Sequence, residues 1–247
     1  MRPVTLPQSA ALVAYGAYGA RHALQPGAPL QLALSTLGTG AVTSSSMLIN
    51  DLVDYQRGVD TAASQPNRPL VRGEVQPEAV EVLLQCTYLL VLVLMCWLAS
   101  VRARLLLLAA TLVTYLYTEH LKPLLFVKNA ACAFVVASAP AFGAAAVSGQ
   151  FRTAWRSSLV VFGMIFHREM VMDVGDRCGD AAAGLRTVAT AFGARVALAL
   201  SLAPLALALC LAPCRVPVIL QGSAALITPR LAVHTAPLAL GAALLCR

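Results

Sequence analysis

Residues 79–100 read Ala-Val-Glu-Val-Leu-Leu-Gln-Cys-Thr-Tyr-Leu-Leu-Val-Leu-Val-Leu-Met-Cys-Trp-Leu-Ala-Ser. One charge, Glu81, interrupts a run as long as the roughly 20 apolar residues that carry a helix across about 30 Å of hydrocarbon. The run has counterparts along the chain, at about 29–53, 103–121, 124–148, 157–175 and 189–212, with shorter ones at 5–20, 216–228 and 231–246. Pro and Gly mark many of the ends, as breakers should. The pattern predicts an all-α, polytopic transmembrane helical bundle of eight or nine helices, folded as a single domain over residues 1–247. Composition agrees: 59% of the 247 residues are hydrophobic and 12% charged, with mean hydropathy +0.75, against about 45–50% and 25% for soluble domains. The run Ser9 to Ala20 is short for a span and reads as a truncated first helix. The last two segments, flanked by Pro217, Pro229 and Pro237, read as half-helices or a broken hairpin.

A net charge of +7 raises nucleic acid as a partner, but the basic residues are spread through inter-helix segments with no aromatic-interleaved stripe, which excludes that class. Membrane lipids with anionic headgroups fit better. Seven cysteines, Cys86, Cys96, Cys132, Cys178, Cys210, Cys214 and Cys246, show no paired metal-type spacing and read as small buried apolar residues. No Arg- and Ser-rich acid-poor leader follows Met1, so targeting is internal or its signal lies outside this chain.

All eleven acidic residues but Glu119 fall in two windows, 51–81 and 169–180. The first holds Asn50-Asp51-Leu52-Val53-Asp54, then Asp60, then Asn67-Arg68-Pro69. The second holds Arg168-Glu169, Asp173, Asp176, Arg177 and Asp180. On a helix, Asp51 and Asp54 share one face, as do Asp173, Asp176 and Asp180. Between the two patches the chain crosses the membrane four times, so both emerge on one side. That side also collects Arg57, Arg68, Arg72, Lys122, Lys128, Arg168, Arg177 and Arg186, which makes it cytoplasmic or the organellar equivalent, a plastid included. A single acidic run of this kind reads as a solvated loop. Two, on one face and each beginning inside apolar sequence, ask for a cation to offset their repulsion.

Hard carboxylate oxygens select Mg²⁺ or Ca²⁺ over zinc, and Mg²⁺ typically bridges one or two carboxylates to a phosphate while keeping several waters. Two facing carboxylate sets therefore suggest a diphosphate clamped between metal ions, with Arg68, Lys122 and Arg186 neutralising the remaining phosphate charge. No Walker loop or histidine cluster competes.

In these motifs the chain resembles the UbiA superfamily of membrane prenyltransferases. The resemblance rests on N-D-x-x-D at Asn50, Asp51 and Asp54, on Asn67-Arg68-Pro69, on Tyr117 followed by Lys122, and on D-x-x-D-x-x-x-D at Asp173, Asp176 and Asp180 followed by Gly184, Arg186 and Thr187. It implies a bundle of about nine helices around a lipid-accessible cavity, with two Mg²⁺ ions held by Asp51, Asp54, Asp173 and Asp180. It implies a polyprenyl diphosphate donor and a small aromatic or hydroxyl acceptor, in lipid or quinone biosynthesis. Asn50 and Asn67 would hydrogen-bond metal or phosphate; Arg68, Lys122 and Arg186 would hold the diphosphate, Lys122 among the catalytic residues and Asp176 among the substrate-binding ones. Many members carry a further aspartate where Gly58 stands; the Gly58-Val59-Asp60 pattern is similar to the naphthoate-type branch. Asn67-Arg68-Pro69 and Arg168-Glu169 followed by Asp173 are similar to the branch making archaeal-type ether lipids or chlorophyll.

Tyr115 and Tyr117 are read either as diphosphate or cation contacts or as interfacial anchors. His120, His167 and Glu119 read as interfacial groups in preference to bases. Two further functions share the apparatus: a membrane terpene cyclase acting on the same donor, and a non-catalytic polyprenyl-lipid binding homologue.

Overall fold

A computed structural model describes residues 5–211, other than 64, 183 and 185. The expected helices at 216–228 and 231–246 lie outside the described residues. Within them the chain forms α1 (Thr5–Gly19), α2 (Ala28–Gln56), α3 (Pro77–Trp97), α4 (Val101–Leu116), α5 (Val127–Ser148), α6 (Trp155–Gly175), α7 (Arg177–Ala182), α8 (Val188–Phe192) and α9 (Ala194–Leu211), and no strand. The expected helix at 103–121 instead ends in a wider turn over Tyr117–Leu121. The one expected from 189 is divided at Gly193 into α8 and α9. The short α7 falls in what the sequence suggested was connection.

The core is built on α5, which packs against α1, α2, α4 and α6. Its composition explains why it can: Ala131, Ala133, Ala137, Ala139, Ala141, Ala144, Ala145 and Ala146 are all buried, and small side chains let helix backbones approach closely where water expulsion gives no help. The crossing with α1 is the extreme case. A Cβ on Gly16 would stand 1.8 Å from the Pro140 carbonyl oxygen, and one on Gly143 would stand 2.0 Å from that of Val13. Only glycine fits either position.

Apolar side chains also cover the outside. On α3, Leu89 is 62% and Trp97 66% exposed, the arrangement of a helix whose outer face meets lipid. Among the described helices α2, α3 and α5 are long and apolar enough to cross a membrane. The cysteines correct the sequence reading. Cys86, Cys96, Cys178 and Cys210 are exposed and Cys132 is partly buried, because a run that is apolar all round does not say which face turns inward.

The two acidic patches lie at one end of the bundle, as expected. The C-terminal ends of α2, α4 and α6 and the N-terminal ends of α3 and α5 share one end of the bundle: Gln56, at the end of α2, donates its amide to Glu81 in the first turns of α3 at 3.3 Å, and the bonds of Lys122 and Lys128 join the others.

Candidate diphosphate and metal site

The last turns of α2 carry the first patch. Asn50, one helical turn before Asp54, donates its amide to Asp54 Oδ2 at 2.9 Å, and Lys122 Nζ donates to Asp54 Oδ1 at 2.6 Å. Asp54 is buried, so a charge there needs partners, and it has one on each oxygen. Asp51, one turn back, pairs with the Arg68 guanidinium. The chain turns at Gly58 with φ +70°, a conformation in which an L side chain is strained. This accounts for glycine at that position. The Val59 and Asp60 N–H groups then close on the Asp54 carbonyl at 2.9 and 3.1 Å. Asp60, buried, is thereby brought to 3.6 Å from Arg68. Burial pushes its carboxyl above the usual carboxylate range, with Arg68 pulling the other way.

Lys122 reaches this patch because α4 loosens at its end. The Lys122 N–H bonds back five residues, to the Tyr117 carbonyl at 2.7 Å, a π-type widening of the sort that often marks functional sites. The same turn sets the Tyr117 hydroxyl beside the Cys132 thiol of α5. Beyond Lys122 the chain folds tightly, and the Val127 N–H closes on the Leu125 carbonyl at 2.7 Å around Phe126. Phe126 has φ 62° and ψ −40°, a strained three-residue turn. Lys128 follows at once.

At the start of α5, Lys128 Nζ donates to Asp173 Oδ1 at 2.6 Å and Asn129 donates its amide to Asp173 Oδ2 at 3.0 Å. Asp173, on α6, is buried, and so is Asn129. The second patch therefore repeats the first: a buried aspartate with a lysine ammonium on one oxygen and an asparagine amide on the other. Sequence analysis placed Lys128 on this face but assigned it no role, and passed over Asn129. The signal available was the adjacent Lys-Asn pair at the mouth of an apolar helix. The two lysines are six residues apart, so even a fully extended chain would put their Cα atoms within about 20 Å, and the folded turns shorten that.

Asp180, in α7, faces Lys128, Asp173 and Asp176 electrostatically; burial raises its carboxyl above the usual range while Lys128 lowers it. Asp176 caps α6 and is exposed. Asn67 and Arg186 are also exposed, and among the described residues no bond ties either to a carboxylate of these clusters. His167 belongs to the packing: its ring Nδ1 sits 2.8 Å from Ser201 Oγ of α9, whose own proton goes to the Leu198 carbonyl. Tyr115 meets Tyr88 edge-on at 6.1 Å between ring centres. Between α4, α5 and α6 lies an open apolar groove of about 310 Å³, lined by Leu106, Phe134, Ala137, Ala141, Leu159 and Phe162 and reaching Phe151 and Trp155 at the far end of the bundle. At 1.5 Å per residue, Phe134 stands about 8 Å and Ala141 about 18 Å along α5 from Asn129.

The donor set suits a hard divalent cation. Asp51, Asp54 and Asp60 face Arg68 and Lys122, and Asp173 and Asp180 face Lys128, so each cluster keeps an excess negative charge and offers only oxygen. Among the described residues no three acids, histidines or cysteines converge on one point. A metal here would be held by one or two carboxylates with water and phosphate completing its shell, as Mg²⁺ prefers.

The described residues thus form an all-helical bundle with paired carboxylate clusters at one end and an open apolar groove between α4, α5 and α6, the class of a membrane helical bundle. The chain belongs to the UbiA prenyltransferase family, which it matches over residues 9–246. Among curated relatives, a digeranylgeranylglyceryl phosphate synthase of Natronomonas pharaonis is 34% identical over 177 residues, 69% of this chain and 60% of the relative. The same-named protein of Halobacterium salinarum is 33% identical over 206 residues, 81% of this chain and 70% of the relative. That of Pyrococcus abyssi is 33% identical over 64% of this chain and 55% of its own length. The chain thus spans less than two thirds of the length of the first and third of these. Among solved structures, a UbiA homologue from Archaeoglobus fulgidus bound to DMAPP and Mg²⁺ superposes with TM-score 0.69 at 21% identity, over 87% of this chain and 79% of that one. An apo homologue from Aeropyrum pernix K1 gives 0.71 at 22% identity, over 85% and 78%. These likenesses establish the fold.

Proposed function

We propose that the chain catalyses Mg²⁺-dependent transfer of a prenyl group from a polyprenyl diphosphate to the hydroxyl of a glycerol phosphate lipid. The observation that carries the reading is the repeated Lys–Asp–Asn cluster, Lys122–Asp54–Asn50 and Lys128–Asp173–Asn129, its two halves joined by the short connection between Lys122 and Lys128. The glyceryl phosphate acceptor, in preference to an aromatic one, is supported by the relatives' names.

In this reading the donor's diphosphate lies between the clusters, and its prenyl tail runs along the bundle toward the apolar groove between α4, α5 and α6. Mg²⁺ bound at Asp51, Asp54, Asp173 and Asp180 would neutralise charge on the diphosphate. Lys122, Lys128 and Arg68 then exchange carboxylate for phosphate oxygen, so the cations that stabilise the empty site stabilise the leaving group. As the allylic C–O bond breaks, both electrons leave with the diphosphate oxygen. The acceptor hydroxyl forms the new C–O bond and gives up its proton to the departing diphosphate. Apolar walls exclude water, which would otherwise capture the cation.

The test is diphosphate release from geranylgeranyl diphosphate by detergent-purified protein, with and without Mg²⁺, and with geranylgeranylglyceryl phosphate, a phenol or a naphthoate as acceptor. Release that needs Mg²⁺ and the glyceryl phosphate supports the proposal. Release needing an aromatic acceptor changes the acceptor, Mg²⁺-dependent release with a hydrocarbon product and no acceptor means a cyclase, and no release from any donor length means a binding protein.

A further inference from the structure

The end of the bundle opposite the carboxylates has a charge pattern of its own. It is formed by the connections 20–27, 98–100 and 149–154 with the adjoining helix turns. These carry Arg21, Arg102, Arg104, Arg152 and Arg156 and no acidic residue. The acids of the chain lie in the windows near the other end and at Glu119, so this face is cationic without compensation, and no acid pairs with any of the five arginines among the described residues.

The connections form one surface. The Gln25 N–H bonds to the Val147 carbonyl at 2.9 Å, joining the α1–α2 connection to the end of α5. Arg102 Nη1 donates to the Gly149 carbonyl at 2.7 Å, joining the start of α4 to the α5–α6 connection. Gln31 of α2 donates to the Trp97 carbonyl at 3.4 Å and accepts from the Ala99 N–H at 2.9 Å, fixing the α3–α4 turn. Between them lies a polar depression of about 430 Å³ lined by Gln25, Ala99, Ser100, Val101, Arg102 and Gly149.

Two features place this surface at headgroup depth. The α3–α4 connection is three residues long, so Arg102 and Arg104, in the first turn of α4, sit close to the lipid-facing end of α3. Large aromatic rings ring the same level: Tyr18, Trp97, Phe151 and Trp155 are exposed, as interfacial anchors are. Arg21 lies over the Tyr18 ring at 4.3 Å and Arg156 over Trp155 at 5.5 Å, which holds both guanidinium groups at the aromatic belt. Arg102 and Arg104 each spend one donor on a backbone carbonyl and keep the rest of their five for another acceptor.

We propose that this face binds anionic phospholipid headgroups, the phosphate and its negative charge being held by Arg21, Arg102, Arg104, Arg152 and Arg156. The inference is independent of the prenyl-transfer reading. Protein reconstituted into nanodiscs of mixed phosphatidylcholine and phosphatidylglycerol, then released into native mass spectrometry, should retain phosphatidylglycerol in preference. Replacing Arg21, Arg152 and Arg156 together by Gln, which breaks no bond between helices, should cut that preference by about fivefold for each arginine removed. Replacing the same three by Lys should preserve it. Binding of Mg²⁺ and geranyl diphosphate at the other end, unchanged in both variants, establishes that they are folded. Equal retention of the two lipids by the parent protein, or undiminished preference in the Gln variant, overturns the proposal. Displacement of the lipid by dilute inorganic phosphate also overturns it, since that identifies a site for the free anion.

Discussion

Replacing Lys128 by Met separates the two parts this lysine plays. Its ammonium lies 2.6 Å from Asp173 Oδ1, and the side chains of the pair are 20% and 10% exposed. Breaking a fully buried pair costs about 3–5 kcal/mol. Asn129 still holds the other oxygen and Lys128 is partly in solvent, so a lone Asp173 charge should be worse off by about 2 kcal/mol. That deficit is available to any cation that replaces the ammonium, so Mg²⁺ alone should bind about thirtyfold more tightly to the variant. The donor should respond in the opposite sense. A charge-assisted contact to diphosphate is worth about 1.5–3 kcal/mol, and its loss should weaken geranyl diphosphate, measured at saturating Mg²⁺, by tenfold or more. Isothermal titration of the detergent-solubilised protein reads both. If Mg²⁺ and donor affinity fall together, or if Mg²⁺ affinity does not change, Lys128 is a structural pair only and the exchange of carboxylate for phosphate is wrong.

Other outcomes follow from the same geometry. Asp54→Ala should leave the helical content intact and reduce diphosphate release by at least a hundredfold, checked by circular dichroism beside the release assay. Gly143→Leu must push α1 off α5, where even a Cβ meets the Val13 carbonyl at 2.0 Å, so its melting point should fall by an amount equivalent to 3 kcal/mol or more, whereas Gly40→Ala, with open space around it, should change it little. Asp60 is raised by burial in the folded chain. Between its ordinary value unfolded and its raised value folded, the folded state holds more protons, so stability falls as pH rises through that window. Asp60→Asn should abolish that part of the pH dependence and raise the melting point at neutral pH.

Much of this could be read in advance because membrane helices announce themselves by length and apolarity. The even number of crossings between Asp54 and Asp173 then placed both acids on one face with no structural information. What escaped the sequence depends on contacts between distant segments. Lys128 and Asn129 look like a helix start until α6 brings Asp173 to them. The widened turn at Tyr117–Leu121 and the strained Phe126, which lie on either side of the connection between the two lysines, have no local signature. Gly16 and Gly143 read as ordinary small residues, since only their mutual crossing leaves no room for a methyl group. The break at Gly193 was lost in an apolar run that continues on both sides.

The central claim is that two carboxylate clusters serve one diphosphate. A double-mutant cycle on binding of a non-reactive thiodiphosphate analogue of the donor, in Mg²⁺, with Asp54→Ala, Asp173→Ala and the pair, tests it most directly. The account predicts that either change alone removes most of the affinity and that the double variant is little worse than the singles, because both aspartates act on the same ligand. Losses that simply add, or a donor indifferent to one of the two, would mean that the clusters work separately and would contradict it.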